Sequence, residues 1–213
     1  VKRGWVVFAP DAAWYGDRAG AGPAGASELT RGDQQMSQLK FHLWFGRTLW
    51  GMFVRDDQIA LDYLCGRPEV DTKRIGATGI SMGSTRSWWL TAVDDRIACM
   101  VGVACLTRYE NLIHHGQLRQ HGLYYFTSGM LKHFDSEGVI SLIAPRPALF
   151  LTGELDAGSP ADGIKILEAK VGGVYDTLGG KDQFRSVRYP DLGHTYTPAM
   201  RKEMLAWFDR FLK

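Results

Sequence analysis

The sequence predicts an α/β fold, a mostly parallel sheet flanked by helices. Three observations carry that expectation. Short apolar runs rich in β-branched residues alternate with longer stretches whose apolar positions recur at helical spacing. Strands with intervening helices read as βαβ units, which give a parallel sheet covered on both faces. The last stretch, residues 198–212, is amphipathic and opens with Pro198, the residue type favoured at the first helical position.

The elements follow in order. Residues 5–9 (WVVFA) read as a strand ended by Pro10, and residues 11–33, rich in Gly, Ala and Asp, as a long loop. From about Thr48 to Leu64 the residues Trp50, Phe53, Val54, Leu61 and Leu64 mark a helix that stops before Gly66 and Pro68. Residues 74–78 (RIGAT) read as a strand, 82–92 as a helix and 97–104 as a strand. Residues 106–144 are irregular, aromatic and rich in His, and read as a cap-like insert with short helices. Residues 148–152 (ALFLT) form the next strand, a helix follows near 163–170, and 185–189 is a strand before the closing helix. That gives about five strands in one domain spanning residues 1–213.

Composition limits the function classes. The chain has 213 residues, 45% apolar and 23% charged, enough for one sizeable core. A formal net charge of +2, with Lys and Arg scattered, points away from nucleic acid or an anionic membrane as partner. Cys65, Cys99 and Cys105 form no metal spacing and read as free thiols, Cys99 and Cys105 as small buried hydrophobes. No apolar run reaches the ~18 residues of a membrane span. The chain begins at Val1 and enters an apolar run almost at once, so further residues are expected upstream. Localisation stays open, with the cytoplasm slightly favoured over secretion.

Chemistry is carried by three loops. Gly79-Ile80-Ser81-Met82-Gly83 matches G-x-S-x-G between an apolar strand and a helix, as a nucleophile elbow requires. The hydroxyl of Ser81 then projects above the sheet at a helix N-terminus, where free N–H groups such as that of Met82 favour a developing negative charge. A serine needs a base in hydrogen-bond reach and an acid to orient it. Asp156 follows the ALFLT strand, and His194 follows the 185–189 strand, in the chain order Ser, Asp, His. Glu154 is the rival acid, less favoured because Asp156 stands before the turn residues Gly158 and Pro160. His114, His115, His121 and His133 lack a carboxylate ligand pattern and read as lining or supporting a pocket wall, not as metal ligands. Trp88 and Trp89 read as packing.

With these residues assembled, the sequence resembles α/β-hydrolase serine esterases of the acetyl xylan esterase-like and dienelactone hydrolase-like branch. The resemblance rests on GISMG after RIGAT, APDAAWYGDR, LDYLCGRPEVDTKRIG, LIAPRPALFLTGELDAGSP and DLGHTY. It implies a Ser81–Asp156–His194 triad with the Met82 N–H in the oxyanion hole. Dienelactone hydrolase itself has a cysteine nucleophile; Ser81 favours ordinary esters. The resemblance also implies that residues 5–9 are the fourth strand of an eight-stranded family sheet. The N-terminal strands would then lie upstream of Val1, and with them the loop that usually supplies a second oxyanion donor. The loop at Trp14 and Tyr15 is a candidate replacement, and an exposed sheet edge would favour a homodimer.

The expected reaction is hydrolysis of small acyl, acetyl-type esters through an acyl-enzyme, with no metal or organic cofactor. The expected partner is a small-molecule ester, an acetylated carbohydrate among the options. Trp14, Tyr15, Tyr124 and Tyr125 are the candidate substrate-binding residues, with aromatic packing of the cap as the alternative. Two other readings stand: a serine peptidase with the same triad, and a catalytically incomplete chain acting as a binding module.

Overall fold

A parallel pair of strands needs a crossover connection long enough to return the chain to its starting edge, usually a helix. Among the described residues such connections join strands only after residue 70. The structure is a computed structural model that describes residues 3–19 and 30–213. It forms two compact units, one from residues up to Val70 with Gly122–Ser128, the other from Asp71–His121 with Gly129–Lys213.

The first unit holds α1 (Arg31–Trp44) and α2 (Leu49–Cys65). Each is capped by a threonine: Thr30 Oγ1 accepts from the Asp33 N–H at 3.1 Å and Thr48 Oγ1 from the Gly51 N–H at 3.0 Å. Trp50 and Phe53 on α2 are buried and pack against the rings of Trp14, Tyr124 and Tyr125.

Two expectations fail in this unit. Residues 5–9 are irregular, with Val6, Val7 and Phe8 exposed and the Phe8 ring resting 5.4 Å from that of Tyr63. A strand is a property of a pair, and the first unit has no strand among its described residues. The expected loop over residues 11–33 is interrupted as well: Gly16–Arg18 forms a 3₁₀ turn and α1 begins at Arg31. Residues 20–29 of that loop lie outside the described residues.

The second unit is built on β1 (Ile75–Ile80), β2 (Ile97–Val103), β3 (Ala148–Gly153) and β4 (Phe184–Tyr189). Its helices are α3 (Met82–Val93) between β1 and β2, then α4 (Tyr109–His114) and α5 (Ser136–Ser141) before β3. After β3 come α6 (Ala161–Thr177) and, closing the chain, α7 (Pro198–Leu212). The four strands lie in the order β1-β2-β3-β4 and every pair is parallel. Five strands were expected; the difference is residues 5–9. Ile80 stands opposite Val103, Val103 opposite Leu151, and Gly153 opposite Tyr189, so all four strands deliver their C-terminal ends to one edge of the layer.

Alternation along the strands fills both faces. Met100 and Phe150 turn toward α3, α5 and α6, in a core shared with Trp88, Ile140 and Leu167. On β1, a Cβ at Gly76 would stand within 2.8 Å of Leu212 and Phe208, so α7 seats directly on that glycine. Every residue of β3 is buried, as expected of an interior parallel strand. Cys99 is buried, and burial pushes its thiol up to about 12; Cys65, Cys99 and Cys105 form no disulfide among the described residues. No helix among the described residues is long and apolar enough to cross a membrane.

Phe150 is fully buried at the centre of this core. Phe150→Ala is expected to cost about 3–5 kcal/mol of stability, measured by urea unfolding of the two proteins.

Candidate active site

Ser81 occupies the single residue between β1 and α3. Its backbone lies at φ 59°, ψ −123°, outside the regions an L-residue prefers. Such a conformation costs of order 1–3 kcal/mol and persists only where the surroundings over-determine it. They do so here from both sides. The Ser81 N–H donates to the Val103 carbonyl at 2.9 Å, and the Ser81 carbonyl accepts from the Thr85 N–H at 3.1 Å. The turn is tight enough that a Cβ on Gly79 would stand 2.4 Å from the Gly83 carbonyl carbon. A Cβ on Gly83 itself would meet nothing within 4 Å. Of the two glycines, the steric requirement therefore falls on Gly79.

Met82 follows as the first residue of α3. The first N–H groups of a helix have no intrahelical acceptor, and they sit at the positive end of its dipole. The Met82 N–H is thus a donor presented at the residue next to the Ser81 hydroxyl.

Asp156 and His194 are brought into contact: His194 Nδ1 stands 2.7 Å from Asp156 Oδ2. The second carboxylate oxygen, Oδ1, accepts from the Gly158 N–H at 2.9 Å. Asp156 has 3% of its side chain exposed and His194 43%. The hydrogen bond that Asp156 accepts from the His194 ring raises the His194 pKa above the ordinary 6.5, against a smaller opposing effect of burial. A carboxylate on Nδ1 selects the tautomer that leaves Nε2 as the basic nitrogen. Glu154, the rival acid, is engaged elsewhere: it pairs with Arg188, whose Nε also lies 3.2 Å from Glu168.

The two loops meet because Gly153 lacks a side chain. A Cβ there would stand 2.2 Å from the Leu192 carbonyl oxygen and 2.4 Å from that of Gly193. The Glu154 N–H donates to Tyr189 O and the Leu155 N–H to Leu192 O, both at 2.9 Å.

The candidate substrate-binding residues Trp14, Tyr15, Tyr124 and Tyr125 lie in the first unit. Trp14 is buried at φ 67° with its ring edge-on to Phe53 at 5.6 Å. Tyr125 stacks on Trp50 at 4.9 Å and Tyr124 lies 5.3 Å from Phe53. Tyr15 sits under the Arg31 guanidinium at 4.5 Å. In that unit these rings do the work of packing. His115 contacts Asp162 at 3.1 Å and both are exposed.

Several contacts of the site escaped the sequence reading, which took His121 only as lining or supporting a pocket wall, Cys105 as a small buried hydrophobe and Gly158 as a turn residue. Cys105 is buried with its Sγ 3.9 Å from Ser81 Oγ, and it follows Ala104 in a left-handed pair at φ 51° and 58°. Thr107, His121 and Gly158 are joined by hydrogen bonds behind Asp156. Only Gly153 left a sequence signal, a glycine directly after an apolar strand.

Asp156→Asn removes the charge that raises His194. The imidazole pKa, followed by NMR titration, is expected to fall back toward 6.5; an unmoved titration would mean the bond does not govern the base.

No family model matches the chain. The chain is 36% identical over 209 residues to a Bacillus subtilis (strain 168) protein described as "Putative hydrolase YtaP", a match covering 98% of this chain and 66% of that protein. Among solved structures, it resembles a carbohydrate esterase family 15 glucuronoyl esterase from Caldicellulosiruptor kristjansonii. That likeness has a TM-score of 0.61 at 22% identity and covers 75% of this chain and 49% of the other. Methylesterase BT1017 matches with a TM-score of 0.60 at 26% identity over 77% of this chain and 36% of its own. The Pyrococcus furiosus esterase PF2001 matches with a TM-score of 0.56 at 17% identity over 75% of this chain and 62% of its own. The chain therefore spans less than two thirds of the length of each.

Proposed function

We propose that this chain, which has the α/β-hydrolase fold, hydrolyses carboxylic esters with Ser81 as nucleophile, His194 as base and Asp156 as the acid that orients the base. The observation that carries the reading is the 2.7 Å contact of Asp156 with His194, on loops at the same sheet edge as the strained Ser81. The esterase names of these three solved structures support an ester over an amide substrate, and the hydrolase name of the curated relative fits either.

In this reading Ser81 Oγ attacks the carbonyl carbon while His194 Nε2 takes its proton. Asp156 stabilises the imidazolium that forms. The Met82 N–H donates to the oxyanion, an interaction stronger in the transition state than in the ground state. The leaving alcohol receives the proton from His194, and water then repeats the sequence on the acyl-enzyme. Small acyl, acetyl-type esters are the proposed substrates; a serine nucleophile suits them, and an acetylated carbohydrate belongs to the class.

The test is turnover of p-nitrophenyl acetate and butyrate by the wild type and Ser81→Ala. Wild-type turnover is expected to fall by several orders of magnitude in the variant, and Asp156→Asn to lose about 10⁴-fold in kcat. Equal rates in wild type and Ser81→Ala would sink the assignment. The pH dependence has a definite sign. The base acts when neutral and its pKa is raised, so kcat/KM is expected to fall on the acid side with an apparent pKa above 6.5. A rate flat from about pH 5 to 8 would exclude His194 as that base.

A further inference from the structure

Asp156 orients His194 only as well as its own carboxylate is oriented. Its Oδ2 faces His194, and its Oδ1 is anchored on the N–H of Gly158. The direction of the carboxylate therefore depends on where the Gly158 peptide is held.

Gly158 is gripped on its other side, through the carbonyl of the next peptide unit. The Gly158 carbonyl accepts two hydrogen bonds, from Thr107 Oγ1 at 2.7 Å and from His121 Nε2 at 2.8 Å. A carbonyl oxygen has two lone pairs and only accepts, so His121 carries a proton on Nε2. His121 is 7% exposed, Thr107 2%, and the ring of Tyr109 meets that of His121 edge-on at 5.8 Å. Thr107 is fixed in turn, since Ser136 Oγ donates to its carbonyl at 2.6 Å and Ser159 Oγ lies 2.9 Å from its hydroxyl. Asp135 accepts from the N–H groups of Tyr109 and Glu110, both at 2.9 Å, which locks the start of α4 just beyond Thr107.

We propose that His121, together with Thr107, is a positioning residue for the esterase reaction: it holds the Gly158 carbonyl so that Asp156 points at His194. The inference rests on the triad reading above, and it adds a residue 35 positions upstream of the acid. A purely structural histidine at this place would need only bulk and polarity. A positioning histidine needs its donor at the Nε2 position. Burial lowers the His121 pKa, which keeps the ring neutral and the Nε2–H available as a plain donor beside the acid and base.

Two isopolar variants separate these roles. The amide nitrogen of Gln reaches the place of Nε2, whereas that of Asn stops near Nδ1, short of the Gly158 carbonyl. His121→Asn is expected to lower kcat for p-nitrophenyl acetate about tenfold or more with KM within about twofold. The His194 pKa, read by NMR titration of the whole chain, falls toward 6.5 in the same variant. His121→Gln recovers most of both. Thr107→Val, which removes the other donor on the same carbonyl, moves both readouts in the direction of His121→Asn and decides the matter if that variant does not fold. Equal kcat in the Asn and Gln variants, or a His194 titration unmoved in both His121→Asn and Thr107→Val, overturns the proposal. The NMR titration does not depend on turnover. Absence of Ser81-dependent turnover in the wild type would overturn the esterase reading and leave the positioning claim to be judged on the titration.

Discussion

A side chain at position 153 would occupy space that the carbonyls of Leu192 and Gly193 already fill, little more than 2 Å from where its Cβ would sit. The site rests on that vacancy. Parallel neighbours leave the sheet at the same edge, so the loops after β3 and β4 emerge side by side. With glycine between them they close to backbone hydrogen-bond distance, and the pairing of the strands runs on into the loops through Glu154 and Leu155. Asp156 stands three residues beyond that contact and His194 one residue beyond Gly193. Both side chains therefore start from backbone that is tied down, and a 2.7 Å bond between them needs little further ordering.

The strain of the site is concentrated in the same layer. Ser81, Ala104 and Cys105 all have positive φ, and all three directly follow the C-terminal ends of β1 or β2. Each such residue costs of order 1–3 kcal/mol. The sheet holds them there: the Ser81 N–H bonds to Val103 O and the Ala104 N–H to Leu151 O, both at 2.9 Å, so ladder geometry reaches one residue past each strand. Relaxing Ser81 or Ala104 would break a bond to an interior strand. Regular packing around Met100 and Phe150 thus offsets irregular backbone above it, and the nucleophile turn is rigid because the layer below is.

The same division explains what could be read in the sequence. The inner strands β2 and β3 are apolar along their length because interior parallel strands are covered on both faces, and that pattern survives in one dimension. Residues 5–9 carry the same pattern and are not a strand, because composition records a preference and not a partner. Helix α1 was missed for the opposite reason. Its buried residues are Gln35 and Gln38, so no apolar stripe marks its inward face. Ser81, Asp156 and His194 were legible because each lies just beyond an apolar run. The meeting of Thr107 and His121 with Gly158 was not, since it spans 51 and 37 residues of mostly irregular chain and no periodicity encodes it; His121 was legible only as a residue lining or supporting a pocket wall. G-x-S-x-G suggested two equal glycines where the structure needs a bare Cα only at Gly79.

In the proposed reaction, the unequal exposure of Asp156 and His194 follows from what each would do as acid and base. A group that only orients another gains by burial, because its field is stronger where water is excluded. Burying a carboxylate is costly unless its oxygens are bonded, and both are, one by the Gly158 N–H and one by His194. A base must exchange protons with substrate and water, so His194 stays half exposed. The bond between them then acts on stability and activity with opposite signs. A histidine whose folded pKa is raised adds stability that is fully present below its unfolded value of about 6.5 and is lost as pH rises through the folded value. Solvent at the exposed ring screens that contribution. The neutral imidazole that can accept the Ser81 proton exists only above the folded pKa, so the pH at which this pair does most for the fold is the pH at which its base is blocked.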